Sequence, residues 1–571
     1  MRLFSLIAFV AASLAGAEQA PDLVFHNGKV VTVDATFSLA QAVAVRGNRI
    51  VAVGADAAVL ALAGPSTRKI DLRGRTVLPG LTDSHTHAAD ASMFEFDHPV
   101  PEMETIADVL AYIRARAKVV PEGEWIFVSQ VFITRLREQR FPTRAELDTA
   151  APKHAVYFRT GPDAALNSLA LQRSGIGKGF AITDGRPGRI ETDASGEPNG
   201  ILRNCARLIP YKSSSLAPTL SQKAAQLRKL IVDYNATGIT SICDRDAGDD
   251  DVATYKQLHD SGGLSARVFL NFSVDGQASI EEIRKRIDVA AAHPLHTYSN
   301  ELWLRGIKMY LDGGMLTGSA YMREPWGVSK VYSITDPSYR GMRYIESEKL
   351  FQAVRYALRK GLQPTAHSVG DGAVHAMVEA YERANAETPV RESRPCITHS
   401  NFMSPEAVEK MAKLGIVADL QPAWLERDGA TLIKQFGYAR LSYFQPYKAL
   451  EEAGVMVGGG SDHMQKIGSM RSINPYNPFF GMWVMLERRP RWTATVLHPE
   501  QRVSRAQAIR FYTIQNAFLT FEEKEKGSLE AGKLADLIVL DRDILTCPAD
   551  AIRTTQVLET WLGGKQIYAR P

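Results

Sequence analysis

Two histidines, His85 and His87, stand at i and i+2 in the segment DSHTH, directly after the apolar run TVLPGL. In a β-strand, residues at that spacing face the same side, so both imidazoles point at one centre. A His-x-His pair at a strand end suits a single divalent metal ion. Other predicted strand ends offer comparable donors: His367 closes PTAHSVGD, His399 closes PCITHSN and Asp462 closes GGGSD. Neutral imidazoles and a carboxylate match Zn²⁺ and related ions. Lys308 completes the set. In GIKMYLDGG the alternation puts Gly306, Lys308, Tyr310 and Asp312 on one side and Ile307, Met309 and Leu311 on the other. With the apolar side against helices, the amine points inward, where an unpaired ammonium is costly. It then either pairs with an acid such as Asp312 or loses its proton, and a neutral amine can take up CO₂ to give a carbamate that bridges two metals.

These donors meet only if the strands carrying them share a sheet. Apolar strands are predicted at 76–87, 239–243, 266–274, 304–314, 362–371, 395–401, 415–423 and 454–462. Between them run helical patterns such as SQKAAQLRKLIVDYNATG and SEKLFQAVRYALRKG, with apolar residues three and four apart and a closing glycine. Eight strands with helical crossovers predict an α/β fold, a closed (β/α)8 TIM-like barrel whose strand ends converge on one face. A doubly wound open sheet is the runner-up, but no GxGxxG follows the first strand. Residues 89–220 break the alternation with strands of their own (WIFVSQVF, HAVYFRT) and a Gly-rich hairpin region. They are predicted to be an insertion after the first barrel strand, standing over the barrel mouth. Both chain ends read as short β segments: LVFHNGKVVTVD and QAVAVRGNRIVAVG at one end, ADLIVLDRD and TQVLETWLGGKQIYA at the other. Asn27-Gly28 and Gly47-Asn48 mark hairpin turns. A small β-sandwich formed by residues 22–75 and 521–571 is predicted, with the barrel over 76–520.

The 571 residues are 45% hydrophobic and 23% charged, a globular composition. A net charge of +4 gives no reason to expect a nucleic-acid partner. Cysteines at 205, 243, 396 and 547 form neither a disulfide scaffold nor a CxxC cluster. Arg2, the apolar run LFSLIAFVAASL and the small residues Ala15-Gly16-Ala17 are the parts of a secretory signal peptide, residues 1–17. The run is too short for a stable membrane anchor, which needs about 20 apolar residues. The mature chain is expected to start near Glu18 and to be exported, periplasmic or secreted.

These residues resemble the amidohydrolase superfamily, and most closely its YtcJ-like branch, which includes N-substituted formamide deformylases. The matching pieces are VLPGLTDSHTH, GIKMYLDGG, AHSVGDGAV, ITHS, GGGSD, LHPEQRVSRAQAIRFYTIQNA and GSLEAGKLADLIVLDRD, in that order along nearly the whole mature chain. The resemblance implies a metal-dependent hydrolase with one or two divalent ions, zinc first. It implies metal ligands at His85, His87, Lys308 (in carboxylated form), His367, His399 and Asp462, with Asp462 also the general base. Two departures concern the substrate region. After Ser461-Asp462 the family often has a proline two residues on, whereas this chain has His463-Met464 and then QKIGSMRSINPYNP. In RTGPDAALN, Asp163 stands where the family often has a histidine.

The expected reaction is attack of water, its pKa lowered from about 16 toward 7 by the metal, on a substrate carbonyl, with Asp462 accepting the proton and passing it to the leaving group. Cleavage of an amide, formamide or carbamate C–N bond of a small molecule is the first reading. A deaminase or esterase on the same scaffold, or an exported metal-bearing binding protein without turnover, are the alternatives, and homo-oligomerisation is left open. Trp326, Tyr321, Trp424 and Trp483 follow barrel strands and are either substrate wall or ordinary packing.

Overall fold

A computed structural model describes residues 19–213 and 217–571. The expected signal peptide lies outside the described residues, and among the described residues no helix is long and apolar enough to cross a membrane.

Eight parallel strands form a TIM-like barrel in chain order: Leu81–Thr86, Ile239–Ala247, Arg267–Ser273, Leu302–Tyr310, Gln363–Ser368, Cys396–His399, Val417–Leu420 and Val457–Gly459. Each expected barrel strand is present. The first and last strands meet beyond the ladder, where Asp462 N–H donates to His85 O at 2.7 Å and His87 N–H to His463 O at 2.8 Å. Glycine makes this closure possible. A Cβ on Gly460 would sit 1.6 Å from Asp83 Oδ1, and Gly459 turns at φ +144°, a backbone angle that side-chain-bearing residues rarely adopt. The expected helices pack outside the strands. Leu220–Ala236 starts with a Thr219/Gln222 capping box and buries Leu227, Leu230, Ile231 and Tyr234 on one stripe. Ser347–Arg359 likewise ends before Gly361, at φ +73°.

The first predicted strand divides. Thr76–Pro79 pairs with Lys29–Val31 and Leu537–Leu540 in a separate sheet, and only Leu81–Thr86 enters the barrel. The break is at Gly80, whose absent Cβ makes room for the Thr240 side chain, 2.2 Å from where that Cβ would be. The chain ends form a four-stranded sheet and a six-stranded sheet. Phe25, Val45 and Ile50 of the first share an apolar cluster with Val30, Val77, Leu537 and Trp561 of the second. Gly47-Asn48 is a two-residue hairpin turn, with Arg46 opposite Arg49. Asn27-Gly28 is not a hairpin: Leu23–His26 and Lys29–Val31 belong to different sheets. The chain crosses there beneath Leu72, whose Cδ1 lies 2.4 Å from the position a Gly28 Cβ would take.

Between the first two barrel strands lies a five-stranded sheet, in the order Arg189–Thr192, Pro198–Arg203, Asp163–Leu166, Ala155–Thr160 and Trp125–Ser129. Its alternation separates two apolar layers. Val156 and Phe158 pack on the helices Ile106–Arg116 and Arg144–Ala150, while Ala155 and Tyr157 face a second cluster with Leu166 and Leu202.

Candidate metal centre

The barrel strand ends bring the six sequence-predicted residues into one neighbourhood. His85 Nε2 lies 3.3 Å and His87 Nε2 3.1 Å from the same oxygen, Asp462 Oδ1. His85, His87 and Asp462 offer donor atoms within 4.8 Å of one another. The His85 ring centroid is 4.8 Å from that of His399, which is 4.4 Å from that of His367. Lys308 is fully buried among them, and its Nζ has no hydrogen-bond partner among the described residues. Asp312, the acid that strand alternation puts on the same side as Lys308, instead accepts the backbone N–H groups of Tyr321, Val369 and Gly370.

Burial sets the protonation of this cluster. It pushes His85 and His399 well below the usual imidazole value and His367 down to about 3, leaving neutral rings with lone pairs to offer. It also lowers the Lys308 ammonium. At His87 burial works in the same direction, but the adjoining Asp462 carboxylate overrides it and holds the ring up to about 9. The donor set fits a divalent cation on one further count: His85 Nε2 is buried with no hydrogen bond although it faces a carboxylate oxygen. A cation accepting both lone pairs removes that mismatch.

Which nitrogen each ring presents is decided by the seventh strand, which carries no expected ligand. His85 Nδ1 donates to Asp419 Oδ2 at 3.0 Å, and His399 Nδ1 donates to Gln421 Oε1 at 2.7 Å. The Gln421 bond leaves His399 Nε2 as the free lone pair, and His85 Nε2 is free likewise when Nδ1 donates to the Asp419 carboxylate rather than accepting from Gln421 Nε2, 3.1 Å away. Arg245, fully buried, lies 3.4 Å from Asp419 and donates to Ser84 O and Asn271 Oδ1. Burial pushes Asp419 up to about 7. Sequence reasoning missed Asp419 and Gln421. The available signal was two polar residues at i and i+2 in GIVADLQPA, the spacing that identified His85 and His87.

A cleft of about 770 Å³ opens over the cluster, lined by His87, His367, His399 and Asp462 at its floor. The insertion walls it with Phe132, Tyr157, Arg159, Ile209 and Tyr211. Trp424 lines it too, stacked on His399 at 4.9 Å. Trp326 and Trp483 are buried packing residues whose indole N–H groups donate to Ala320 O and Asp550, and Tyr321 is not part of the lining. Asp163 is withdrawn from substrate: it is buried, paired with Arg203 at 3.0 Å and bonded by Asn204 N–H at 2.7 Å. Its neighbours Gly161 and Pro162 reach the cleft instead.

Residues 68–568 match the model of the Amidohydrolase family. The chain is 30% identical over 567 residues to the N-substituted formamide deformylase of Arthrobacter pascens, covering 97% of this chain and 99% of that protein. It is 24% identical over 559 residues to the putative amidohydrolase YtcJ of Bacillus subtilis, covering 96% and 99%. A solved structure, an uncharacterized metal-dependent hydrolase from Pyrococcus furiosus, superposes with a TM-score of 0.65 at 21% identity, covering 92% of this chain and 100% of its own. At that identity the likeness speaks for the fold alone.

Proposed function

The chain belongs to the amidohydrolase family, and from that premise we propose an exported metal-dependent hydrolase that cleaves a C–N bond of amide, formamide or carbamate type in a small molecule. One observation carries the reading: His85 Nε2, His87 Nε2 and Asp462 Oδ1 converge on a single point at the floor of the cleft. Zinc suits two imidazoles and a carboxylate. Lys308, His367 and His399 lie beside them, and the neutral amine favoured by burial at Lys308 supports a carboxylated lysine that shares one or two ions with them. The formamide reading is favoured by the name of the Arthrobacter relative. The two terminal sheets, with their common core around Phe25 and Trp561, are read as a small β-sandwich.

When bound, such an ion supplies a Lewis acid for the substrate carbonyl and water that is acidic near neutral pH. The protein residues do the rest. The Asp462 carboxylate takes a proton from the attacking water and delivers it to the leaving nitrogen. Asp419 and Gln421 hold the rings of His85 and His399 in one tautomer. Trp424 and the aromatic residues of the insertion exclude water and seat an apolar substituent of the substrate.

The test is metal analysis of the purified protein beside a panel of amides, formamides, carbamates and esters. Bound zinc with turnover confined to the C–N substrates is expected. Ester turnover alone, or full activity after complete metal removal, would overturn the reading. Export is tested by N-terminal sequencing of protein from the exported fraction: a start near Glu18 is expected, and a retained Met1 would contradict it.

A further inference from the structure

The segment QKIGSMRSINPYNP, which departs from the family pattern, joins Asp462 to the helix Pro478–Glu487, and it is tied down at several points. His463 Nδ1 accepts the Tyr234 hydroxyl at 2.6 Å, and its Nε2 donates to Gln465 O and Lys466 O at 2.7 and 2.8 Å. Gln465 Nε2 donates to Gln130 O and Lys466 Nζ to Pro101 O, both in the insertion. Tyr476 hydroxyl donates to Asp233 and accepts Gly468 N–H. Within this frame Asn474, fully buried, directs its amide nitrogen at Asp462 alone. Nδ2 donates to Asp462 O at 2.7 Å and to Asp462 Oδ2 at 3.1 Å. Asn474 Oδ1 accepts Arg135 Nη1 at 2.7 Å. Arg135 in turn grips Asp428 through Nε and Nη2 at 3.0 and 2.7 Å. Arg135 and Asp428 are 4% and 2% exposed, so the chain of contacts is shielded from water along its length.

We propose that Asn474, fixed by Arg135 and Asp428, is the positioning residue that aims the Asp462 carboxylate at the metal site. A guanidinium can only donate, so Arg135 forces the Asn474 carbonyl oxygen toward itself and the NH₂ group toward Asp462. That NH₂ group occupies Oδ2, which stops the carboxylate from rotating and leaves Oδ1 facing the two imidazole nitrogens. Its second bond, to the Asp462 carbonyl, holds a backbone that stands at φ +56°, a region unfavourable for a residue with a side chain. Arg135 ends the short turn Ile133–Arg135 of the insertion, Asp428 sits on the helix Ala423–Phe436 after the seventh strand, and Asn474 belongs to the loop after the eighth. The insertion that walls the cleft therefore also orients the carboxylate at its floor.

The proposal rests on Asp462 holding a metal, and the experiment separates the two ideas. Full-length wild type, Asn474→Asp, Asp428→Asn and, as a control, Lys466→Met are loaded with Co²⁺; Lys466 ties the same loop to the insertion without touching Asp462. Asn474→Asp keeps the shape but sets a carboxylate oxygen against Asp462. It is expected to weaken Co²⁺ binding about 10–100-fold, shift the visible Co²⁺ absorption, and lower kcat with KM little changed. Asp428→Asn should act in the same direction more weakly. Lys466→Met should lower Tm but leave the spectrum and kcat as in wild type. A wild-type spectrum and Co²⁺ affinity in Asn474→Asp would overturn the proposal; if that variant does not fold, the same result in Asp428→Asn overturns it. Wild-type protein that takes up no Co²⁺ would sink the metal reading itself, and this proposal with it.

Discussion

A carboxylate caught between two imidazoles and an amide has little freedom left, and Asp462 is in that position. Asp462→Asn preserves its volume but removes the proton acceptor. A fall in kcat of about 10²–10⁴-fold is expected, with metal content largely kept; near-wild-type turnover would remove Asp462 from the chemistry. Gln421→Leu takes away the acceptor that fixes His399 Nδ1. Metal affinity should drop about 10–100-fold, as measured by competition with a chelating dye, and unchanged affinity would show that the ring needs no such partner. At this scale His85, His87, His367, His399 and Asp462 were legible at the ends of apolar strands and Lys308 through strand alternation, while their roles as ligands came from the family resemblance. Asn474 and Arg135 were not: they sit in a loop and a short turn, where no periodicity reports which way a side chain points.

Elements carry their own signals. The helix Arg144–Ala150 of the insertion begins with Thr143, whose side chain and N–H are bonded to Glu146. Arg140, with these Thr143 bonds, pulls the Glu146 carboxyl down to about 2 from its usual 4.5. A folded-state value below the unfolded one stabilises above the unfolded pKa and loses that contribution as pH falls toward the folded value. Glu146→Gln should therefore lower Tm at neutral pH, and the gap should close between about pH 5 and pH 2. Thermal melts across that range check it; a gap independent of pH would contradict the charge argument. Strand identity was legible in the same local way, since apolar runs bounded by turn residues mark it. Strand partnership was not. The run 76–87 reads as one strand, yet it serves two sheets on either side of Gly80. Asn27-Gly28 has the composition of a hairpin turn and instead carries the chain from one sheet to the other.

For the molecule as a whole, chain ends more than 500 residues apart share one apolar cluster, in which the rings of Phe25 and Trp561 meet edge to face at 5.0 Å. Phe25→Ala removes that contact, which involves no residue lining the cleft. A loss of about 3–5 kcal/mol, read as a lower Tm and denaturant midpoint, is expected with kcat and KM unchanged at 25 °C. A comparable loss of kcat in the folded variant would mean that the terminal sheets act on the site.

The sequence by itself determined the barrel, its eight strands and the residues gathered at its mouth, because strand alternation and helical spacing are local consequences of burying one face. The tertiary structure alone decided which sheet Thr76–Pro79 joins, that Asp163 is paired away from the cleft with Arg203, and that Arg135 reaches Asp462 through Asn474. Those outcomes depend on contacts between residues from a dozen to more than 400 positions apart, and a buried polar group takes whichever partner the packing brings within hydrogen-bond range.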